Sequence, residues 1–377
     1  MNTEELRAVA ATYGTPTYIF DVREVEARIR LLRSLLPEDT GLCFAVKANP
    51  FLIPYVADLV DRLEVCSPGE YEICIQEQIA PEKIVVSGVN KTYESMKRIL
   101  SYSKGAGIYT IESEEHAKIL RTLAEKNQMP LSVLIRLSSG NQFGVDAETF
   151  FRLAKEIQES PYLTLAGVHY YAGTQKRQSK LEKELDTLTA FAKTFEEETG
   201  TVLKELEYGA GMKVSYFIND SEKDQRESEP EPQIQALAEK LRTCAYGKKT
   251  IELGRFLVSM SGYYLTRVMD VKRTAQPGFL ILDGGIHQIN YYGWMMGMKQ
   301  PKIEVLAEKS GEEELFHLCG SLCTVNDVLA RDVALHDPQK GDVICFKRCG
   351  AYAATEGMAM FLSRELPQVL ICKTDGK

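Results

Sequence analysis

Short apolar runs alternate with segments of helical spacing between residues 41 and 252 of this sequence. Runs of this length that are bounded by turn residues are typical of strands buried on both faces. The eight runs lie near residues 41–46, 62–66, 83–87, 106–111, 131–137, 163–171, 203–208 and 248–252. Segments rich in helix formers lie between them, for example at 113–127, 146–158, 178–198 and 232–243. Eight strands that alternate with helices predict a (β/α)8 barrel, in which a closed parallel sheet lies inside a ring of helices.

A doubly wound open sheet is the main alternative for a chain of alternating strands and helices. The dinucleotide-binding form of that fold carries a G-x-G-x-x-G motif, which opens the helix after the first strand. No such motif follows the first predicted strand here, so the barrel is favoured. The length of 377 residues also exceeds the roughly 250 to 300 residues at which single cores stop growing, which predicts a second domain.

The segments that flank the predicted barrel have a different pattern. Residues 3–14 predict a helix that ends at Gly14, and residues 15–21 form a β-rich run. Beyond Gly262, β-prone runs are separated by Gly and Pro and lie at Tyr263–Val271, Phe279–Asp283, Leu315–Leu318, Asp342–Phe346 and Gln368–Cys372. This pattern indicates a mostly antiparallel sheet. We therefore predict an α/β chain with a barrel domain at residues 22–262 and a β domain formed by residues 1–21 and 263–377.

Composition argues against several classes of partner and compartment. A net charge of −8 disfavours nucleic acid or an anionic membrane as the main partner. No apolar run approaches 18 residues and the N-terminus is acidic, so neither a membrane span nor a signal peptide is predicted. Nine scattered cysteines without a C-x-x-C pair are typical of the reducing cytoplasm and indicate neither a disulfide framework nor a zinc site.

Lys47 lies at the end of the first predicted strand and is followed at once by the breaker pair Asn49-Pro50. In a (β/α)8 barrel the active residues lie at the carboxyl ends of the strands. Burial there disfavours the charged ammonium, so we expect a lowered pKa and an amine that can attack an aldehyde. A lysine that only extends its charge from the strand end to solvent is the alternative.

The ends of the other strands carry polar groups and small residues. Glu64 ends the second strand, and the sixth leads into the segment 169–175 with His169, Tyr171 and Thr174. The seventh ends at Gly209 and Gly211, and the eighth at Glu252, Gly254 and Arg255. Glycine turns, a hydroxyl and an arginine together are what a phosphate group needs, although each glycine alone is explained by a tight turn. Beside a strand-end lysine, these turns favour a phosphorylated aldehyde cofactor.

Two further segments have two interpretations each. The acidic stretch Asn219–Pro232 predicts a solvated loop after the seventh strand, and a lid over the active-site face is the alternative. The segment Asn290–Met298 is rich in aromatic residues and methionine. It predicts an ordinary contact within the β domain, and the lining of a substrate entrance is the alternative.

Several motifs occur together in one order along nearly the whole chain. They are Tyr13–Asp21, Phe44–Asn49, His169–Gln175, Gly209–Gly211, Glu252–Arg255, Cys319–Asp327 and Gly350–Tyr352. With these motifs the chain resembles the pyridoxal-phosphate enzymes of the alanine-racemase-like fold, and among them the diaminopimelate/ornithine decarboxylase family. The resemblance implies a pyridoxal-binding barrel, a β domain and a homodimer whose two active sites share residues across the interface.

The resemblance also implies roles for individual residues. Lys47 would hold the aldehyde of pyridoxal 5′-phosphate as a Schiff base, and Glu252 would keep the pyridine nitrogen protonated, so that the ring withdraws electrons. Cys323 would reach the site from the partner subunit and protonate the product, with a small buried core residue as the alternative. The remaining residues implied to contact the cofactor are Glu64, His169, Tyr171, Thr174, Gly209, Gly211, Gly254, Arg255 and Tyr352. Thr324 and Asp327 are the implied substrate residues.

Three departures from the family pattern bear on the substrate. Tyr171 stands where the family usually has a second histidine, and Leu253 replaces a proline. Thr324 stands where members that act on diaminopimelate or ornithine carry an acid that pairs with the distal amine of the substrate. Threonine offers only a neutral hydrogen bond, so a distal ammonium would be poorly matched. The pattern is similar to that of specialised decarboxylases whose amino acid is conjugated or linked to a carrier protein.

The interpretation favoured by these observations is a pyridoxal-phosphate-dependent carboxy-lyase that acts on an amino acid or an amino-acid conjugate. A true meso-diaminopimelate decarboxylase of lysine biosynthesis is one alternative. An amino-acid racemase on the same fold is another, although racemases typically place an arginine near the pyridine nitrogen. A non-catalytic pyridoxal-phosphate carrier is a single barrel, and the segment 263–377 argues against it.

Overall fold

The computed structural model of the protein describes residues 1–274, 276–291 and 296–373. The chain divides into two units, which we call the barrel unit and the β unit. The barrel unit comprises Arg28–Lys213 and Glu227–Phe256, and the β unit comprises Met1–Ala27, Val214–Arg226 and Leu257–Lys377. Residues 22–27, 214–226 and 257–262, which the sequence assigns to the barrel domain, therefore lie in the β unit.

The first elements along the chain are helix α1 (Thr3–Tyr13), strand β1 (Thr17–Asp21) and helix α2 (Val22–Leu35). Eight parallel strands then close the barrel. They are β2 (Thr40–Ala45), β3 (Arg62–Val65), β4 (Ile84–Val86), β5 (Ile108–Ile111), β6 (Leu131–Arg136), β7 (Leu163–Tyr171), β8 (Glu205–Gly209) and β9 (Lys248–Leu253). Pairing of β2 with β9 closes the sheet. The predicted (β/α)8 barrel is confirmed, because all eight apolar runs form strands.

Helices follow the barrel strands along the chain. They are α3 (Ile53–Val56), α4 (Pro68–Gln76), α5 (Tyr93–Ser103), α6 (Glu114–Asn127), α7 (Ala147–Gln158), α8 (Gln178–Thr199), α9 (Glu222–Glu227), α10 (Pro230–Thr243) and α11 (Arg255–Val258). Side-chain caps define several starts: Ser113 accepts a hydrogen bond from the His116 N–H, and Asp146 accepts one from the Thr149 N–H. Gly200, in the left-handed conformation with φ of 68°, ends α8.

Small and branched apolar side chains from different strands pack together in the core of the barrel unit. Cys43, Val85, Ile108 and Leu134 form one buried cluster there. Successive side chains of a strand alternate between its two faces, so the residues next to these point outward to the helices. Both faces of the barrel sheet are therefore largely buried, which explains the apolar runs of most strands, although β3 and β8 also bury charged residues such as Arg62 and Glu207.

The β unit contains β10 (Gly262–Lys272), β11 (Gly278–Leu282), β12 (Ile303–Val305), β13 (Glu313–Cys319), β14 (Val328–His336), β15 (Val343–Lys347) and β16 (Gln368–Cys372). Their order is β12-β15-β10-β11-β13-β14, and β1 pairs with both β10 and β16. Most neighbours are antiparallel, whereas the β11–β13 and β1–β16 pairs are parallel. The predicted mostly antiparallel sheet is confirmed, and the early strand around Tyr18 belongs to it.

Two strands of this sheet are absent from the sequence prediction. β12 has only three residues, too few for a clear pattern. In β14 the apolar pattern is interrupted at Arg331 and Asp332, and Asp332 has a φ of 52°. The β13–β14 register shifts nearby, between Phe316 and Leu318, as expected at an irregular strand pair. The alternation of polar and apolar residues does not predict a strand at positions where the strand itself is irregular.

The acidic stretch Asn219–Pro232 is only partly the loop that its composition predicts. Helix α9 occupies its middle, and α10 begins at Pro230. Asp220 accepts hydrogen bonds from the main-chain N–H groups of Tyr216 and Phe217, which folds the start of the stretch back on the preceding residues. The lid function stays a prediction.

The described ranges contain no helix that combines the length and the apolar character of a membrane span. Of the segment Asn290–Met298, residues 292–295 lie outside the described residues, and Tyr291 before them is buried against the rings of Tyr216 and Phe217 in the β unit.

Candidate active site

Lys47 lies in a short 3-10 turn, Val46–Ala48, directly after β2. The side chain of Asn49 accepts a hydrogen bond from the Phe51 N–H, and Pro50 follows at a position where its missing N–H is not needed. Asn49 therefore ends this 3-10 turn and, with Pro50, begins the next one. As predicted, the lysine is placed at the carboxyl end of the first barrel strand.

The ammonium of Lys47 contacts two carboxylates and a thiol. Lys47 Nζ donates to Glu64 Oε2 at 2.9 Å and lies 3.6 Å from Glu252 Oε1 and 3.4 Å from Cys66 Sγ. The Lys47 side chain is 33% exposed, so it is less buried than its strand-end position suggests. Glu64 and Glu252 are thus the two ionic partners of this ammonium, and the lowered pKa expected from burial stays a prediction.

Glu252 lies on β9 and is held between Lys47 and His169. His169 Nε2 lies 3.1 Å from Glu252 Oε2, and since a carboxylate can only accept, this nitrogen carries the hydrogen. Burial raises the pKa of the Glu252 carboxyl, but the Lys47 charge and the His169 hydrogen bond outweigh it and lower the pKa to about 2. Glu252 is therefore ionised at neutral pH, and the other nitrogen of His169 finds no hydrogen-bond partner within the described part of the chain.

Tyr171 forms a wall of the site at the end of β7. The Tyr171 ring centroid lies 5.9 Å from Lys47 Nζ and 5.6 Å from Lys176 Nζ. A Cβ at Gly209 would overlap this ring, so glycine is required there for the ring to lie against the end of β8. Burial raises the pKa of the Tyr171 hydroxyl, with a smaller opposing effect from Lys47.

The turns after β7, β8 and β9 bring together the remaining predicted cofactor residues of the barrel unit. Gly211 has a φ of 59°, and a Cβ there would overlap the carbonyl oxygen of Gly173 in the neighbouring turn. Thr174 is partly exposed in that neighbouring turn, and Gly254 is partly exposed directly after β9. Arg255 starts α11, and its positive charge acts to lower the pKa of the Tyr171 hydroxyl. The main chains of the turns after β7 and β8 approach each other closely, and only glycine fits at position 211.

The other predicted site residues belong to the β unit. Cys323 is exposed, which argues against a small buried core residue, and Thr324 beside it is partly exposed. Asp327 is 2% exposed, and its carboxylate accepts the N–H groups of Ile286 and Leu322 at 2.8 and 2.7 Å. Asp327 therefore holds the turn that presents Cys323. A direct contact of Asp327 with substrate stays a prediction.

Tyr352 also lies in the β unit, where it has a φ of 64° and is partly exposed. A tyrosine in the left-handed region is uncommon. Its contact with the cofactor stays a prediction.

Three features of the site are absent from the sequence prediction. Cys66 lies two residues after Glu64, and its thiol donates to Glu64 Oε1 at 2.9 Å. The two-residue period of a strand, which puts both side chains on one face, is the signal that could have found it. Arg136 ends β6 and pairs with Glu112 at 2.9 Å, and its charge also lowers the pKa of Glu252. Lys176 is the third, with its side chain wholly buried near Gly209.

Comparison with known proteins identifies related sequences. The family model described as "Pyridoxal-dependent decarboxylase, pyridoxal binding domain" matches residues 22–259. The chain is 31% identical to the diaminopimelate decarboxylase of Actinosynnema pretiosum subsp. auranticum, over 91% of this chain and 81% of that protein. It is 26% identical to the L-glutamyl-[BtrI acyl-carrier protein] decarboxylase of Niallia circulans, over 100% of this chain and 92% of that protein.

A third relative and a solved structure extend the comparison. The 2-[(L-alanin-3-ylcarbamoyl)methyl]-2-hydroxybutanedioate decarboxylase of Staphylococcus aureus is 26% identical, over 94% of this chain and 93% of that protein. The crystal structure of the diaminopimelate decarboxylase from M. jannaschii with L-lysine superposes with a TM-score of 0.86 at 21% identity. That superposition covers 98% of this chain and 89% of the other. It shows that the two proteins share the fold.

The side chains of the barrel unit fit the cofactor of this family. Lys47 supplies the amine that an aldehyde needs, and the ionised Glu252 supplies the carboxylate that a pyridinium needs. The glycine turns and Arg255 supply the main-chain and guanidinium donors that suit a phosphate. The chain belongs to the pyridoxal-dependent decarboxylase family, whose members are carboxy-lyases that use pyridoxal 5′-phosphate.

Proposed function

We propose that this enzyme decarboxylates an amino acid whose side chain carries no free distal ammonium, being conjugated to another group or linked to a carrier protein. The observation that carries the proposal is Thr324, a neutral and partly exposed residue next to the exposed Cys323. A distal ammonium would meet no carboxylate at this position and would lose solvation without an ionic partner.

Two of the relatives support this substrate class. The names of the Niallia circulans and Staphylococcus aureus enzymes describe a carrier-linked amino acid and an amino-acid conjugate, and both proteins match this chain over more than nine-tenths of their own length. The diaminopimelate decarboxylase of Actinosynnema pretiosum has the higher identity, which makes meso-diaminopimelate the second candidate substrate. Racemisation is disfavoured because Glu252, and not an arginine, faces Lys47.

Different residues of the barrel unit bind the cofactor and control its protonation. Pyridoxal phosphate supplies the electron-withdrawing ring that makes loss of carbon dioxide possible. Lys47 is the amine that binds the aldehyde, and Glu64 orients it through the 2.9 Å contact. Glu252, ionised at neutral pH, would pair with a protonated pyridine nitrogen, and His169 holds the Glu252 carboxylate through the 3.1 Å contact. The turns with Gly209, Gly211, Thr174, Gly254 and Arg255 would hold the phosphate.

We further propose that Cys323 delivers the proton to the product from the partner subunit of a homodimer. Cys323 is exposed, and Val325 two residues later is 90% exposed, so this turn presents an apolar side chain and a thiol outward. Asp327 keeps the turn in shape through its two main-chain hydrogen bonds. The cytoplasm is the proposed compartment, since all nine cysteines of the chain are free.

The experiment is a substrate screen with a matched variant at position 324. Wild type and Thr324→Glu are incubated with pyridoxal phosphate and each of meso-diaminopimelate, ornithine, lysine, a glutamate amide and a glutamyl carrier-protein thioester. Carbon dioxide release and product mass are measured. We expect wild type to decarboxylate the conjugated substrates, and Thr324→Glu to gain activity on the free diamino acids because a carboxylate now meets the distal ammonium.

Three results would contradict parts of the proposal. A wild type that prefers meso-diaminopimelate would reassign the substrate. Racemised substrate without loss of mass would overturn decarboxylation. Unchanged preference in Thr324→Glu would remove position 324 from substrate selection.

A further inference from the structure

Lys176 places a buried ammonium against the turn Gly209–Gly211 at the end of β8. The Lys176 side chain has no exposed surface, and Nζ donates to Glu184 Oε2 at 2.7 Å and to the carbonyl oxygen of Gly209 at 2.9 Å. Burying a charge is costly unless hydrogen bonds and an opposite charge compensate. An apolar side chain would fill the space without that cost, so the ammonium itself needs an explanation.

Lys176 binds the Gly209–Gly211 turn at both of its ends. The side chain holds the carbonyl of Gly209, and the main-chain N–H of Lys176 donates to the carbonyl oxygen of Gly211 at 2.9 Å. A Cβ at Gly211 would lie 3.0 Å from Lys176 Cε, so the turn also packs against the lysine stem. Lys176 therefore contacts the turn through its main chain, its ammonium and its stem.

The two hydrogen bonds also determine where the N–H groups of the turn point. In a planar trans peptide the C=O and N–H groups point in opposite directions. The carbonyl of Gly209 is directed at Lys176, so the N–H of Ala210 is directed away from it, and the same holds for the carbonyl of Gly211 and the N–H of Met212. The N–H groups of Ala210 and Met212 thus point away from Lys176.

The ammonium is supported by a buried network on neighbouring elements. Glu184, on α8, also accepts a hydrogen bond from the hydroxyl of Tyr208 at 2.7 Å, and Tyr208 directly precedes Gly209 on β8. The ammonium lies 5.0 Å from the ring centroid of Tyr208 and 5.6 Å from that of Tyr171. Both faces suit a cation. The same Tyr171 ring lies near Lys47, which connects this network to the reactive amine.

We propose that Lys176 is a positioning residue for the phosphate group of the cofactor, which it favours by shaping the Gly209–Gly211 turn and by placing a positive charge behind it. This inference rests on the proposed function, in which that turn binds the phosphate. A phosphate dianion bound on the other side of the turn is attracted by the Lys176 ammonium. The attraction is stronger than in water because only protein lies between the two charges. The aldehyde and the ring of the cofactor carry no such negative charge, so the Lys176 ammonium favours their binding less.

The test compares pyridoxal phosphate with pyridoxal, which lacks the phosphate. Dissociation constants of both are measured by the absorption of the lysine-bound aldehyde in wild type, Lys176→Met and the control Lys180→Met. Lys180 is 56% exposed and lies 3.9 Å from the same Glu184, so it is a matched surface lysine. We expect Lys176→Met to weaken pyridoxal phosphate about ten- to hundredfold, the range for loss of a hydrogen bond to a charged group, and to change pyridoxal less than twofold.

A second variant separates this effect from loss of the fold. Lys176→Met removes the nearest cation of Glu184 and leaves it with the Tyr208 hydroxyl and the more distant Lys180, whereas the double variant Lys176→Met/Glu184→Gln removes both charges. We expect the double variant to keep the wild-type circular dichroism spectrum and still lose the preference for pyridoxal phosphate. Equal weakening of both ligands, or an unchanged preference, would overturn the proposal. A wild type that binds neither ligand at Lys47 would instead contradict the proposed function.

Discussion

Replacing Glu252 by Gln tests the electrostatics of the site most directly. The Glu252 side chain is 5% exposed and lies 3.6 Å from Lys47 and 3.1 Å from His169. Burial acts to raise its pKa, but these two partners lower it from 4.5 to about 2. Since one pKa unit between folded and unfolded states corresponds to ~1.4 kcal/mol, the ionised carboxylate stabilises the folded protein by about 3 kcal/mol at neutral pH.

The pH dependence of this stabilisation follows from the direction of the shift. Because the folded pKa lies below the unfolded one, the stabilisation is complete above the unfolded value and is lost as the pH falls through about 2. Gln does not titrate. Wild type should therefore lose about 3 kcal/mol of unfolding free energy relative to Glu252→Gln as the pH falls from about 5 to about 2. Urea unfolding of the cofactor-free proteins, followed by circular dichroism, measures this difference.

Glu207 provides a control of the opposite sign. Glu207 is fully buried, and Arg62 is shared between Glu205 and Glu207. Burial outweighs the effect of the shared guanidinium and raises the pKa of Glu207 to about 7. A raised folded pKa stabilises the protein below the unfolded value, and this contribution is lost as the pH rises to about 7. Wild type should therefore lose stability relative to Glu207→Gln on raising the pH. A pH-independent difference for Glu252→Gln, or the same trend in both variants, would refute the reasoning.

Three further variants test single residues. Lys47→Ala should abolish the absorption band of lysine-bound pyridoxal phosphate, and persistence of that band would exclude Lys47 as the reactive amine. Cys323→Ala should bind the cofactor with wild-type affinity but slow product protonation, measured as turnover and as deuterium incorporation, whereas normal turnover would remove Cys323 from the reaction. Asp327→Ala should lower the unfolding free energy by about 3 kcal/mol, because two main-chain N–H groups lose a charged acceptor, and Asn326→Ala, at an exposed neighbour, should change it little. Equal urea midpoints for Asp327→Ala and wild type would contradict this.

The local pattern of the sequence is enough to predict the barrel and the positions of its functional strand ends. The apolar runs of β2 to β9 record burial on both faces, a property of each strand that needs no knowledge of its neighbours. Lys47, Glu64 and Glu252 could be placed at strand ends for the same reason. Where the local pattern is broken, as at Asp332 in β14, the prediction failed.

Pairing between distant residues was decided only by the tertiary structure. His169 and Glu252 are 83 positions apart in the chain, and Lys47 and Glu64 are 17 apart, yet the arrangement of the barrel strands brings their side chains within hydrogen-bond distance. No local pattern records which side chains will meet. The buried ammonium of Lys176 and the two hydrogen bonds of Asp327 could not be found from the sequence for the same reason. The periodicity of each segment indicates which of its residues are buried. The charge and protonation of a site depend on neighbours that only the folded chain brings together.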